Sequence, residues 1–208
     1  MSDARPLSLR DSHRAHTRAR IQDAARETFF GRGYHEATID EIAQAAGVSR
    51  STLYLYFPDK PDMLTHIAKA YGDALCKVVE RLPSPNPSRA EIGVWVGELA
   101  RFIADDRTPA ILITHLSERV DAPMAVSQIG DRLIGALAAR LPAFAAALDN
   151  SGAHELARAW ALVVMRDLGW ACLQAARDDG KGLGASLLIV AGDLLEHFIK
   201  KNDEWGTA

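Results

Sequence analysis

Residues 38–60 read Thr38-Ile39-Asp40-Glu41-Ile42-Ala43-Gln44-Ala45-Ala46-Gly47-Val48-Ser49-Arg50-Ser51-Thr52-Leu53-Tyr54-Leu55-Tyr56-Phe57-Pro58-Asp59-Lys60. Thr38 and Glu41 have capping-box spacing: the hydroxyl accepts from the Glu41 amide while the carboxylate reaches back. The box opens a short helix whose apolar series is Ile39, Ile42, Ala43 and Ala46, ended by Gly47, which permits a turn too tight for a β-carbon. Ser49 then caps a third short helix holding Leu53 and Tyr54; Phe57-Pro58 stops it, and Asp59 caps a longer fourth helix. Two short helices across a tight glycine turn form the pattern of a helix-turn-helix, although a plain helical hairpin shares it. Ile39, Ile42 and Leu53 supply the shared core and leave Arg50, Ser51, Thr52 and Tyr56 outside.

Upstream, Thr17 to Arg32 places Ile21, Ala24, Ala25, Thr28 and Phe29 at helical spacing before Gly33. Residues 1–16 precede that helix as a flexible arm. Five arginines against Asp3 and Asp11 make residues 1–20 the most basic part of the chain. Downstream, Leu82-Pro83-Ser84-Pro85-Asn86-Pro87-Ser88 forbids helix and marks a domain junction. The expected domains are therefore the arm, residues 17–62, a linking fourth helix over about 60–81, and residues 83–208. The second domain carries helix signals at Ser88-x-x-Glu91, Thr108-Pro109 and Asp121-x-Pro123, then two longer helices near His154 to Arg177 and Leu183 to Lys201. Strand signals are missing from the sequence, so the fold class is all-α.

The 208 residues are 48% hydrophobic and 25% charged with a formal charge of −3, which excludes disordered and collagen-like chains. The longest charge-free runs, such as Leu183 to Gly192, are too short for a bilayer, and the first twenty residues lack the apolar stretch of a secretory signal. No membrane partner and a cytoplasmic location are expected. Cys76 and Cys172 have no metal-ligand spacing and read as reduced core thiols. His13 with His16, and His115 with Glu118, fall short of a metal site, and no nucleophile elbow, phosphate loop or catalytic carboxylate pair is present. The sequence argues against an enzyme and implies no cofactor or metal.

Residues 38–60, with the first helix from Ile21 to Phe29 and Gly33-Tyr34, closely resemble the DNA-binding signature of the tetracycline-repressor (TetR) family of bacterial transcription regulators. The close resemblance covers about residues 17–65 and beyond them only length and helical character. It implies an N-terminal three-helix DNA-binding domain whose third helix enters the major groove, and a C-terminal helical domain for ligand binding and dimerisation. Carried over position by position, Arg50 either reads guanine bidentately, worth roughly 1–3 kcal/mol of discrimination, or contacts phosphate. Ser51 and Thr52 offer hydroxyls to base edges or allow close approach. Tyr54 is shared between packing and DNA, and Tyr56 reaches a phosphate. Lys60, a cation in a helix first turn, suits an external phosphate, and Thr38 offers its hydroxyl to phosphate or only caps. Leu55 departs from the family, which commonly has a polar or aromatic residue there.

The last two helices are apolar on more than one side, which calls for cover on both faces. Leu168, Leu187, Val190, Leu194 and Phe198 are the expected interface of a homodimer built as a four-helix bundle, with Gly169 and Gly192 allowing close approach. Two reading heads about 34–36 Å apart require an inverted-repeat double-stranded DNA operator. The resemblance further implies a repressor released by a small effector, expected to be apolar, with Trp95, Phe102, His115, Trp160 and Met165 as pocket residues. A ligand-independent DNA-binding regulator, or a helical ligand-binding dimer without DNA affinity, is the alternative.

Overall fold

The computed structural model describes residues 8–117, 123–148 and 155–201. The described residues form helices and connecting turns with no strand. The helices are α1 (Leu9–Arg32), α2 (Ile39–Ala45), α3 (Arg50–Tyr54), α4 (Lys60–Val79), α5 (Arg89–Asp105), α6 (Arg107–Ser117), α7 (Met124–Ala138), α8 (Pro142–Ala147), α9 (Glu155–Ala175) and α10 (Gly182–Lys200). The chain divides into two compact units, residues 1–68 and 69–208, with the division inside α4.

In the first unit, Ile21, Ala25 and Phe29 of α1 are buried together with Ile42 of α2, Leu53 of α3, and Met63, Leu64 and Ile67 of α4. Both capping interactions of Thr38 and Glu41 are formed, and Ser49 Oγ accepts the Thr52 amide at 3.0 Å. Asp59 Oδ1 accepts the Asp62 amide at 2.8 Å at the head of α4. Helix α1 begins at Leu9, with Ser8 as its cap accepting from the Asp11 amide. The arm expected over residues 1–16 is thus helical from residue 9 onward; residues 1–7 lie outside the described residues.

In the second unit, α9 packs against α10, α5 and α8, around Trp95, Val96, Leu99, Phe144, Ala161, Val164, Leu168, Leu195 and Phe198. The Ser88–Glu91 capping box is complete. Asp106, rather than Thr108, caps the start of α6 by accepting the Thr108 amide at 3.2 Å. The short α8 was not among the expected elements: six residues with proline at the first turn carry too little periodicity to register. The helix-start signals at Asp121 and His154 lie outside the described residues. Within the chain a β-carbon at Gly169 would meet nothing and one at Gly192 only ordinary contacts, so neither sets how α9 and α10 meet here. Gly184 marks their close approach: a β-carbon there would lie 2.7 Å from Ala175 Cα.

Helix α10 is long and apolar enough to cross a membrane by length and composition, with a mean hydropathy of 1.5, contrary to the reading of its charge-free runs. Its charges at Asp193 and Glu196 shorten those runs without lowering the average far. Here it packs against α9 and α5, with Ala191, Leu195, Phe198 and Ile199 buried.

Candidate nucleic-acid interface and effector cavity

The turn between α2 and α3 is held from α1. Gly47 has φ +63°, and Arg20 Nη2 donates to the carbonyls of Ala46 and, at 3.4 Å, Gly47. Arg18, counted above among the cations of the N-terminal segment, also serves the fold. Its guanidinium lies 4.6 Å from the Phe57 ring centroid, donates to the Tyr56 carbonyl at 3.3 Å and meets His66 Nε2. A guanidinium only donates, so Nε2 of His66 accepts and Nδ1 donates to the Asp62 carbonyl at 2.8 Å. Neither arginine was singled out from the sequence, since both contacts join residues 26 or more positions apart.

With the turn fixed, α3 presents Arg50, Ser51 and Tyr54 to solvent, with Thr52 half-buried beside them. Ser49 Oγ lies 2.9 Å from Ser51 Oγ and 2.8 Å from Thr52 Oγ1, so three hydroxyls are gathered at the start of α3. Arg50 stands over the Tyr54 ring at 5.7 Å, hydrogen-bonds the Tyr54 hydroxyl at 3.4 Å and pairs with Asp40 at 3.4 Å. Its side chain stays 59% exposed, so these contacts orient it without burying it. Leu55, the departure from the resemblance noted above, is 76% exposed. Tyr56 is half-buried, and its carbonyl is the acceptor for Arg18. Thr38 is exposed and occupied with the capping box; its amide and hydroxyl hold the Glu41 carboxyl below the usual carboxylate range.

Lys60, the expected phosphate contact, is placed against the connection between α1 and α2. Its Nζ donates to the carbonyls of Tyr34 (3.0 Å), His35 (3.0 Å) and Ala37 (2.8 Å) and lies 5.3 Å from the Tyr34 ring centroid. An ammonium has three protons, and all three are engaged in tying the α1–α2 connection to α4.

The second unit contains a cavity of about 610 Å³ among α4, α5, α6, α7 and α9. Its walls are mostly aliphatic, including Leu75, Val79, Leu99, Ile103, Ile129, Leu133, Ile134 and Met165. Tyr71 brings a phenol to the wall, its ring stacked on Phe102 at 6.0 Å, and burial raises that phenol above its ordinary value. Met165 alone of the five expected pocket residues lines this cavity. Trp95 is 2% exposed and spends its Nε1–H on the Val78 carbonyl at 2.9 Å, as a core residue. Phe102 backs Tyr71, Trp160 packs beside His197, and His115 lines a smaller neighbouring hollow. Aliphatic residues at helical spacing read alike whether they face a core or a cavity, so periodicity does not single out the lining of this cavity.

The expected interface residues also separate. Leu168 and Phe198 are 0% exposed and pack inside the unit's own core. Leu187 and Leu194 are half-buried and Val190 is 53% exposed. The exposed large apolar side chains of α9 and α10 are Leu156, Leu162, Val163, Trp170, Leu183, Ile189 and Val190.

Residues 21–67 match the family model of bacterial regulatory proteins of the tetR family. The chain is 31% identical over 122 residues to the HTH-type transcriptional repressor BepR of Brucella suis, covering 57% of this chain and 58% of that one. It is also 31% identical over 100 residues to the Fatty acid metabolism regulator protein of Bacillus subtilis, covering 48% and 51%. The chain thus spans about half the length of the curated relatives it matches. The solved structure of the fatty acid degradation regulator FadR from Bacillus halodurans superposes with a TM-score of 0.64 at 18% identity, over 92% of this chain and 97% of that one. Likeness at that identity speaks for the fold, and the sequence match for the helix-turn-helix. Residues 21–67 thus carry the DNA-binding helices of the tetR family of bacterial regulatory proteins, and the chain as a whole shares the fold of its solved neighbours.

Proposed function

We propose that this chain is a homodimeric DNA-binding transcriptional regulator, acting in the cytoplasm as a repressor that leaves an inverted-repeat operator when a small, largely apolar effector occupies the second unit. The observation that carries the reading is the exposed surface of α3, with Arg50, Ser51 and Tyr54 on a turn fixed by Arg20 and Ser49. A guanidinium, hydroxyls and a phenol on one exposed helix face suit base edges and phosphates of a major groove. The outward apolar face of α9 and α10 supports a symmetric pairing of two copies. A cavity of about 610 Å³ falls within the roughly 300–1,000 Å³ typical of small-molecule sites and favours the ligand-controlled over the ligand-independent reading. Helix α4 carries residues of both units, and its Tyr71, Leu75 and Val79 line the cavity, so occupancy acts on α4 and lowers operator affinity.

The test is fluorescence anisotropy of the purified chain on its own upstream intergenic DNA, with scrambled DNA of equal length as control. Selective binding, at a stoichiometry of two chains per site, supports the proposal. Equal and equally salt-dependent binding to both DNAs counts against it.

A further inference from the structure

Beside the main cavity lies a hollow of about 170 Å³ of different chemistry, lined by Arg107, His115, Gln174 and Arg177. The two spaces share Thr114, Trp170 and Leu173 as common walls. Among the described residues no carboxylate lines the hollow. The carboxylates next to its arginines in sequence have other partners: Asp106 accepts the Thr108 amide at 3.2 Å and Asp178 the Gly184 amide at 3.0 Å. Arg107 and Arg177 are exposed; Arg107 donates to the Ala176 carbonyl at 3.0 Å and Arg177 to Gln174 Oε1 at 3.1 Å, one bond each, which leaves most of their donors available. In the main cavity the charges cancel, because Arg166 pairs with Asp167 at 2.9 Å.

From this juxtaposition we infer that the effector is an anionic amphiphile, with an aliphatic body in the large cavity and a single carboxylate or phosphate end held by Arg107, Arg177 and His115. The inference rests on the proposed effector role of the cavity and adds the chemical class of its occupant. An aliphatic wall without lone charge accepts a chain and rejects a charged group, whereas two guanidiniums with free donors, and no carboxylate among the described residues around them, suit an anion. Trp170 and Leu173 lie in the walls of both spaces, so one molecule running past them places its chain on one side and its head on the other.

Isothermal titration calorimetry of the full chain without DNA tests this, using dodecanoate, dodecyl phosphate and neutral 1-dodecanol below their aggregation limits. At least one anion binds about tenfold more tightly than the alcohol, and the preference between the two anions identifies the head group. The double variant R107A/R177A loses that tenfold margin while its affinity for 1-dodecanol stays the same; R107K/R177K, which keeps the charge, retains part of it. Because Arg107 also caps the end of α9, thermal unfolding of both variants is followed alongside. Ile129→Trp, which fills the large cavity, weakens all three ligands. If 1-dodecanol binds as tightly as both anions, or if R107A/R177A leaves the margin intact, the anionic class is wrong while an effector cavity stands. If none of the three binds to protein that still selects its operator, the amphiphile is wrong and the DNA-binding reading survives; loss of operator selectivity with anion binding intact has the reverse meaning.

Discussion

Lys60 Nζ donates to the Ala37 carbonyl at 2.8 Å, and the same ammonium also holds the carbonyls of Tyr34 and His35. A residue expected at a phosphate therefore braces the connection that sets α2 against α1, and we propose that this is its main role. Lys60→Ala should lower the stability of the protein by about 1.5–3 kcal/mol, the range for charge-assisted hydrogen bonds, as read from urea unfolding. The slope of log affinity against log salt on operator DNA should remain that of the wild type, because no phosphate contact is removed. A smaller slope with unchanged stability would return Lys60 to the DNA.

Gly184 allows α10 to start against the end of α9, where a β-carbon would lie 2.7 Å from Ala175 Cα. Gly184→Ala should therefore destabilise the second unit by about 1–3 kcal/mol despite the better helix propensity of alanine. Gly169→Ala, with nothing within 4 Å, is the matched control and should be neutral or slightly stabilising in the same thermal melts.

The capping box of α2 gives a pH dependence of definite sign. The Thr38 amide first, and its hydroxyl second, hold the Glu41 carboxyl below its ordinary value of 4.5. A carboxyl with a depressed value in the folded state adds stability that is complete above the unfolded value and is lost as pH falls through the lower folded one. Unfolding free energy should therefore drop on acidification below about pH 4.5. Thr38→Ala should lose about 1 kcal/mol at pH 7 and show a shallower acid drop. An acid drop of equal depth in the variant would show that Glu41 gains nothing from the box.

Val190 and Ile189 lie on the outward face of α10, 53% and 60% exposed, next to the exposed Leu183. Val190→Arg should turn a dimer into a monomer in sedimentation equilibrium, with its far-ultraviolet dichroism unchanged. Phe198→Arg, by contrast, should unfold the second unit, because Phe198 is fully buried and meets Phe144 edge-on at 4.9 Å. A Val190→Arg dimer of undiminished strength would move the interface elsewhere.

What the sequence made legible was local. Capping boxes at Thr38–Glu41 and Ser88–Glu91, the Gly47 turn and the Asp59 cap depend on residues a few positions apart, and each lies where its spacing placed it. Contacts across long separations were not legible. Arg18 and Arg20 looked like part of a basic tail, yet one grips Tyr56 and Phe57 and the other the turn at Gly47. The cavity was hidden for a related reason: Ile129, Leu133 and Ile134 follow a core periodicity, and only the packing of neighbouring helices decides which apolar faces enclose space. The burial of Leu168 and Phe198 shows the same ambiguity at the expected interface. Of the two expected core thiols, Cys172 is buried, with burial pushing it up to about 12 so that it stays protonated at neutral pH, whereas Cys76 is only half-buried.

The central claim is that Arg50, standing over Tyr54 on α3, reads DNA sequence. The decisive measurement is the ratio of affinities for upstream intergenic DNA and scrambled DNA, by anisotropy at several salt concentrations, for the wild type and Arg50→Ala. The account predicts a variant that folds normally and whose ratio falls about tenfold, corresponding to roughly 1–3 kcal/mol of lost base discrimination. A ratio unchanged by Arg50→Ala, with affinity for both DNAs lowered equally, would reduce Arg50 to a phosphate contact and contradict the claim.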